Sequence, residues 1–204
     1  MIGIDGEINS LVAAKLLKQA LEENVVALVF DFGGVQTNDL VNFCRQLGLE
    51  TYILQRGQAY QSEVSAYRLH KPSGLSSFYK RFINYHLLIQ ADHMKTVLVD
   101  TFDKSDRLLG MKPEGFYGHL MPFYSLYKSE ICELAKFLGI PAVPTNYQGL
   151  PWDKIDPVLY LLTEKQLKIE DISKEHNIDL HWLRSLKIHV NKQLFQTTIS
   201  QFII

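Results

Sequence analysis

Val25-Val26-Ala27-Leu28-Val29-Phe30 is a continuous apolar run rich in β-branched residues. Such a run reads as a strand buried on both faces, the pattern of a parallel sheet. Thr96-Val97-Leu98-Val99 repeats the pattern, and Thr51-Tyr52-Ile53-Leu54 does so more weakly. Helical periodicity fills the gaps. Leu11 to Leu21 is dense in strong helix formers, with Ser10 placed to cap it. Asn38 to Leu47 reads as a second helix stopped by Gly48, Ser76 to Gln90 as a longer amphipathic one, and Ser129 to Leu138 as a fourth ended by Gly139. Strand and helix in alternation predict an α/β fold, a mostly parallel sheet with flanking helices.

Beyond Pro151 the pattern changes to helix alone, over 153–163 and 169–196. The expectation is one domain over 1–204, with an α/β core over 1–150 and a helical C-terminal extension over 151–204. The chain has 204 residues, 47% of them hydrophobic and 21% charged, a composition that disfavours disorder, collagen-like repeats and coiled coils. Its formal charge of −1 supplies no global basic surplus for nucleic acid. No run approaches the roughly eighteen apolar residues of a membrane span, and no secretory signal opens the sequence. Cys44 and Cys132 lie in apolar, helix-like sequence, so two buried thiols in a reducing, cytoplasmic setting are expected.

In an open parallel sheet, ligands bind beyond the carboxyl ends of the strands. One such end is Gly3-Ile4-Asp5-Gly6-Glu7-Ile8-Asn9-Ser10, a glycine-containing turn entering a helix, which is a common phosphate cradle. Another is Asp100-Thr101-Phe102-Asp103-Lys104-Ser105-Asp106-Arg107, where three acids, two bases and two hydroxyls crowd into eight residues. That segment reads either as a metal and phosphate site or as a solvated helix start capped by Asp103. Walker A, G-x-S-x-G, G-x-G-x-x-G and HExxH patterns are absent from the sequence.

These segments resemble, in order and register, the ammonia-dependent NAD synthetase family of the N-type ATP pyrophosphatases. Residues 3–10 lie where that family has Gly-Ile/Leu-Ser-Gly-Gly-x-Asp-Ser. Residues 100–110 resemble its Gly-Thr-x-Asn-x-(Ser/Thr)-Glu-x-x-x-Gly. Pro122 to Pro141 and Ile155-Asp156 with Leu159 resemble its later motifs. The resemblance implies a Rossmann-like fold of the adenine nucleotide alpha hydrolase type, a homodimer, and ATP with Mg²⁺ driving amidation of deamido-NAD. Carried over by position, Gly6, Ser10, Thr101 and Lys128 would contact ATP, Arg81 the dinucleotide substrate, and Asp106 the metal.

The departures fall on the same motifs. Asp5 replaces the loop's first Ser, Glu7 its second Gly, and Asn9 its metal-binding Asp, while Asp106 replaces a Glu. Two carboxylates then face a site meant for an anion, at about 1–4 kcal/mol per repulsive pair near 4 Å. Glu7 also brings a Cβ where glycine's backbone freedom could matter. The family's Gly-Asp falls at Glu114-Gly115, its acceptor segment is shortened to Ala142–Lys154, and its C-terminal motif falls near Phe195-Gln196-Thr197. Three readings stay open: a weak or inactive relative, an active divergent ligase on another carboxylate, and a non-catalytic dimeric interaction protein. The apolar and aromatic residues Phe78, Phe82, Tyr85, Leu87 and Leu88 place the expected dimer contact near residues 76–90.

Overall fold

The computed structural model describes residues 1–33, 36–111, 118–141 and 146–201, with side chains as far as residue 194. Glu114-Gly115, the first residues of the shortened 142–154 segment and the side chains of Phe195–Thr197 therefore lie outside the described residues.

The apolar run pairs as predicted. Strand β2 (Val26–Asp31) is flanked in parallel by β1 (Ile2–Ile4) and β3 (Glu50–Gln55). Ala27 and Val29 point into one layer and Leu28 into the other, all three buried, which is why the run shows no polar alternation. The first layer holds α1 (Ile8–Leu21), α2 (Gln36–Gln46) and α6 (Lys128–Phe137), closing on Val12, Ala13, Cys44, Ile131 and Ala135. The second is built by α4 (Pro72–Met94), whose Leu87 and Ala91 pack on Met1, Leu28 and Leu98. Gly3 lets α4 approach closely: a Cβ would lie 2.9 Å from Leu87 Cδ1, and Leu87 would have to shift. Helices α3 (Gly57–Ala66) and α5 (Lys104–Leu108) complete this half.

The C-terminal part begins with a two-residue hairpin, β4 (Asn146–Tyr147) and β5 (Leu150–Pro151), which periodicity is too short to reveal. It continues as α7 (Trp152–Thr163), α8 (Ile169–His176) and α9 (Leu180–Gln201). The stretch predicted helical over 169–196 is broken where Asn177 adopts φ 50°. These helices share a buried cluster, Ile155, Leu159, Ile172, Leu183 and Val190, with Leu108 of α5 and Leu109 just after it. The extension thus grips the segment that follows residue 100.

Four expectations need correction. The run 96–99 is not a regular strand: Val99 alone bridges Ile2 and Leu120, both in parallel. The Leu98 amide donates to His119 Nδ1 at 2.9 Å and is lost to the ladder. Ser10 does not cap α1; the cap is Glu7, and Ser10 is buried in the first turn. Cys132 is half-buried, unlike Cys44. Glu7 carries no backbone strain, since its φ of −67° is open to any residue, whereas Gly6 at φ +86° does need glycine.

Candidate active site

The carboxyl ends of β1 and β2 and the segment after Val99 open into one cavity of about 530 Å³. Ile4, Asp5 and Glu7 from the first loop, Phe30 and Phe32 from the second, and Asp100 and Thr101 from the third all line it. The strand-end geometry predicted from the sequence is therefore present. The far wall is α4, and Phe32, Tyr60 and Tyr79 form an aromatic rim with ring centroids 5.1–5.7 Å apart.

The floor is a buried polar cluster. Lys128, at the start of α6, places Nζ 2.6 Å from Asp103 Oδ2 and 3.2 Å from Asp106 Oδ2. Its Nζ also donates to Asn9 Oδ1 at 3.1 Å. Asn9 Nδ2 donates to Asp103 Oδ2 and to the Thr101 carbonyl, each at 2.7 Å. Asp103 Oδ1 accepts the Asp106 amide at 2.7 Å, so the predicted cap is real, though fully buried instead of solvated. Burial opposes charge on Lys128, but the carboxylates of Asp106 and Asp103 outweigh it and raise its pKa above the ordinary lysine value.

A second network fixes Lys128 through its backbone. Its amide donates to Ser105 Oγ at 2.9 Å, and Ser105 Oγ donates to Asp156 Oδ1 at 2.7 Å. The other Asp156 oxygen accepts the Ser129 amide at 2.6 Å. Burial raises the Asp156 pKa against these hydrogen bonds. Asp156 belongs to α7, so the C-terminal helices set the position of the α6 N-terminus.

The loop is arranged differently. Asp5 Oδ1 accepts the Glu7 amide at 2.9 Å and the Ser10 hydroxyl at 2.6 Å. The chain's own carboxylate thereby takes donors that a phosphate loop would offer to a ligand. Glu7 is solvent-accessible but lies on the concave wall; crowding by protein and then the Asp5 charge raise its pKa.

Of the residues carried over from the resemblance, Thr101, Asp106 and Lys128 line the cavity together. Gly6 forms the turn between two lining residues, and Ser10 faces Asp5; neither lines the cavity. Arg81 is exposed on α4 and is not among the lining residues. Lys80 is, and its Nζ donates to the Met111 carbonyl. Helical register could have found it: Lys80, Ile83, Asn84, Leu87 and Leu88 follow the i, i+3, i+4, i+7, i+8 spacing of one face, and Leu87 is core. Among the described residues no three acidic, histidine or cysteine side chains converge to hold a cation. The Asp106 carboxylate is paired with Lys128, so these residues do not fit a magnesium as they stand.

A parallel sheet with a mouth at its strand ends, floored by a lysine and lined by a glycine-turn loop, defines a Rossmann-like nucleotide-site architecture. The chain belongs to the NAD synthase family, whose model matches residues 1–199. The NH(3)-dependent NAD(+) synthetase of Campylobacter jejuni is 34% identical over 148 residues, covering 69% of this chain but 59% of that protein. The matched stretch thus spans under two thirds of that relative. The enzyme of Thermococcus kodakarensis is 27% identical over 203 residues, covering 88% of this chain and 79% of its own. Among solved structures, an NH3-dependent NAD synthetase from Campylobacter jejuni superposes with a TM-score of 0.77 at 27% identity, covering 96% and 85% of the two chains. An NMN synthetase from Francisella tularensis shares the fold, with a TM-score of 0.69 at 20% identity over 94% and 83% of the two chains.

Proposed function

We propose that this chain is a NAD synthetase relative with weak or no ligase activity. The observation that carries this is the self-bonded loop: the Asp5 carboxylate holds the Glu7 amide and the Ser10 hydroxyl, with the Glu7 carboxylate beside it. Acceleration of acyl-phosphate chemistry needs donors and positive charge aimed where charge develops on phosphate. Here the Glu7 amide and the Ser10 hydroxyl are occupied by Asp5, and the charges on the loop itself, Asp5 and Glu7, are negative. Lys128, the one buried lysine or arginine among the described residues, is already matched by two carboxylates.

ATP, Mg²⁺ and deamido-NAD are the ligands the family membership brings to this cavity. Thr101 and Lys128 would meet ATP there, with Gly6 and Ser10 shaping the loop. Asp106 is the carboxylate closest to a metal role, and Arg81 would contact the dinucleotide only if α4 presented its outer face to it. The second reading, an active divergent ligase on another carboxylate, draws on the convergence of Thr101, Asp106 and Lys128 in one cavity. The first is preferred because Asp106 and Lys128 spend their charges on each other.

The chain is read as one domain, since α7–α9 share a core with α5 instead of standing apart. Of the residues expected at the dimer contact, Phe82 and Leu87 are buried within the protomer; a homodimer formed near α4 is supported by Tyr85 and Ile89, which are exposed on that helix. A cytoplasmic location is carried from the reading of a reducing setting for Cys44 and Cys132; among the described residues no helix is long and apolar enough to cross a membrane.

Calorimetric titration of ATP–Mg²⁺ and of deamido-NAD into the purified chain tests the reading. Affinity for ATP–Mg²⁺ weaker than about 1 mM, a binding free energy near −4 kcal/mol, is expected. Low-micromolar binding of both ligands would favour the divergent ligase.

A further inference from the structure

We propose that Asn9 and Asp103 form an exchangeable amide–acid pair whose single carboxylate positions Lys128. The two side chains are 94 residues apart in sequence and 2.7 Å apart in space, and both are buried. Each also reaches Lys128 Nζ, at 3.1 Å from Asn9 Oδ1 and 2.6 Å from Asp103 Oδ2. Geometry allows one negative charge in this pair. Two carboxylates at that separation repel in a buried setting, and two amides leave Lys128 with Asp106 as its acidic partner in the cluster.

The motifs that this chain resembles carry the pair the other way round, with the acid at position 9 and the amide at position 103. Both identities are reversed here, and the structure places the two reversed residues in direct contact. The loop acid has therefore been relocated, not simply deleted. The exchange has a direction. Neither residue lines the cavity, and Asp103 uses both oxygens inside the protein, on Asn9, Lys128 and the Asp106 amide. The amide form of residue 9 also gains a bond to the Thr101 carbonyl that a carboxylate could not donate. The pair keeps Lys128 charged and fixed at the cavity floor while removing a carboxylate from the loop. Asp103 is a positioning residue, acting through Lys128.

This inference deepens the reading of a weakened ligase, but its test needs no substrate. Thermal melts and amine labelling of Lys128 compare the parent with Asn9→Asp, Asp103→Asn and the double variant. Breaking a buried pair should lower Tm by on the order of 10 °C in each single variant. Lys128 labelling, read by mass spectrometry against exposed Lys136, should quicken several-fold in Asp103→Asn as its ammonium is released. The double variant should recover at least half of the larger Tm loss and slow Lys128 labelling again. If Asn9→Asp yields no folded protein, recovery of soluble protein in the double variant is the same predicted rescue. Additive losses, an insoluble double variant, or single variants that melt like the parent would each overturn the proposal. Such a failure leaves the weak-ligase reading untouched, and ligase turnover would sink that reading without touching the pair.

Discussion

Replacing Lys128 by Met keeps most of the side-chain volume and removes the charge. In the parent, Nζ is 2.6 Å from Asp103 and 3.2 Å from Asp106, and all three side chains are at most 5% exposed. Removing one partner of a buried ion pair costs about 3–5 kcal/mol, because the remaining charges are left uncompensated. Asn9 Oδ1 also loses its donor, worth about 1 kcal/mol. Lys128→Met should thus lose about 4–6 kcal/mol, a large share of the roughly 5–15 kcal/mol that holds a domain folded. At about 2–4 °C per kcal/mol for a chain of this size, Tm should fall by at least about 8 °C. The pH arm has a definite sign. The folded pKa of Lys128 is raised above 10.5, so its contribution is fully present below that value and is lost as pH rises through the folded pKa. The parent–variant gap in urea midpoints should be constant from pH 7 to 10 and close at more alkaline pH. A loss under about 1 kcal/mol, the range of surface pairs, would refute the reasoning.

Glu7, held at a raised pKa by crowding and by Asp5, imposes a cost at neutral pH that disappears as pH falls through its folded value toward 4.5. Glu7→Gln should therefore melt higher than the parent at pH 7 and converge with it in acid; a lower Tm at pH 7 would contradict this. Gly118→Ala would set a Cβ 2.9 Å from Asp100 Cβ, Asp100 N and the Leu98 carbonyl; the Asp100 amide is held by the Leu120 carbonyl and the Leu98 carbonyl by the His119 amide. A loss of about 1–3 kcal/mol is expected by chemical denaturation. Gly74→Ala, in α4 with open space around it, should instead gain roughly 0.5 kcal/mol, and equal effects from the two would discredit the steric argument.

The elements that position the site were legible because they are apolar and local. Val25–Phe30 announces a strand buried on both faces, and Gly139 and Gly48 mark helix ends at positive φ. The segment 96–99 reads as a full strand because a tetrapeptide cannot report that His119 intercepts one of its amides. Thr101, Asp106 and Lys128 were legible through the resemblance to the family's motifs, and they do converge. Lys80 lines the cavity and Arg81, the position the family motif marks, does not, because about 100° of helical rotation separates the two. The Asn9–Asp103 contact and the Asp156 link to Lys128 were not legible at all, since hydrogen bonds across 94 and 51 residues leave no periodic trace.

The central claim is that the loop built around Asp5 and Glu7 does not support adenylation of a carboxylate. Incubating the unmodified chain with deamido-NAD, ATP, Mg²⁺ and ammonia, and following NAD and AMP by chromatography, measures it directly. The account predicts NAD at or only slightly above the level of the control lacking ATP. Sustained formation of NAD and AMP in equal amounts, abolished by Lys128→Met, would contradict it.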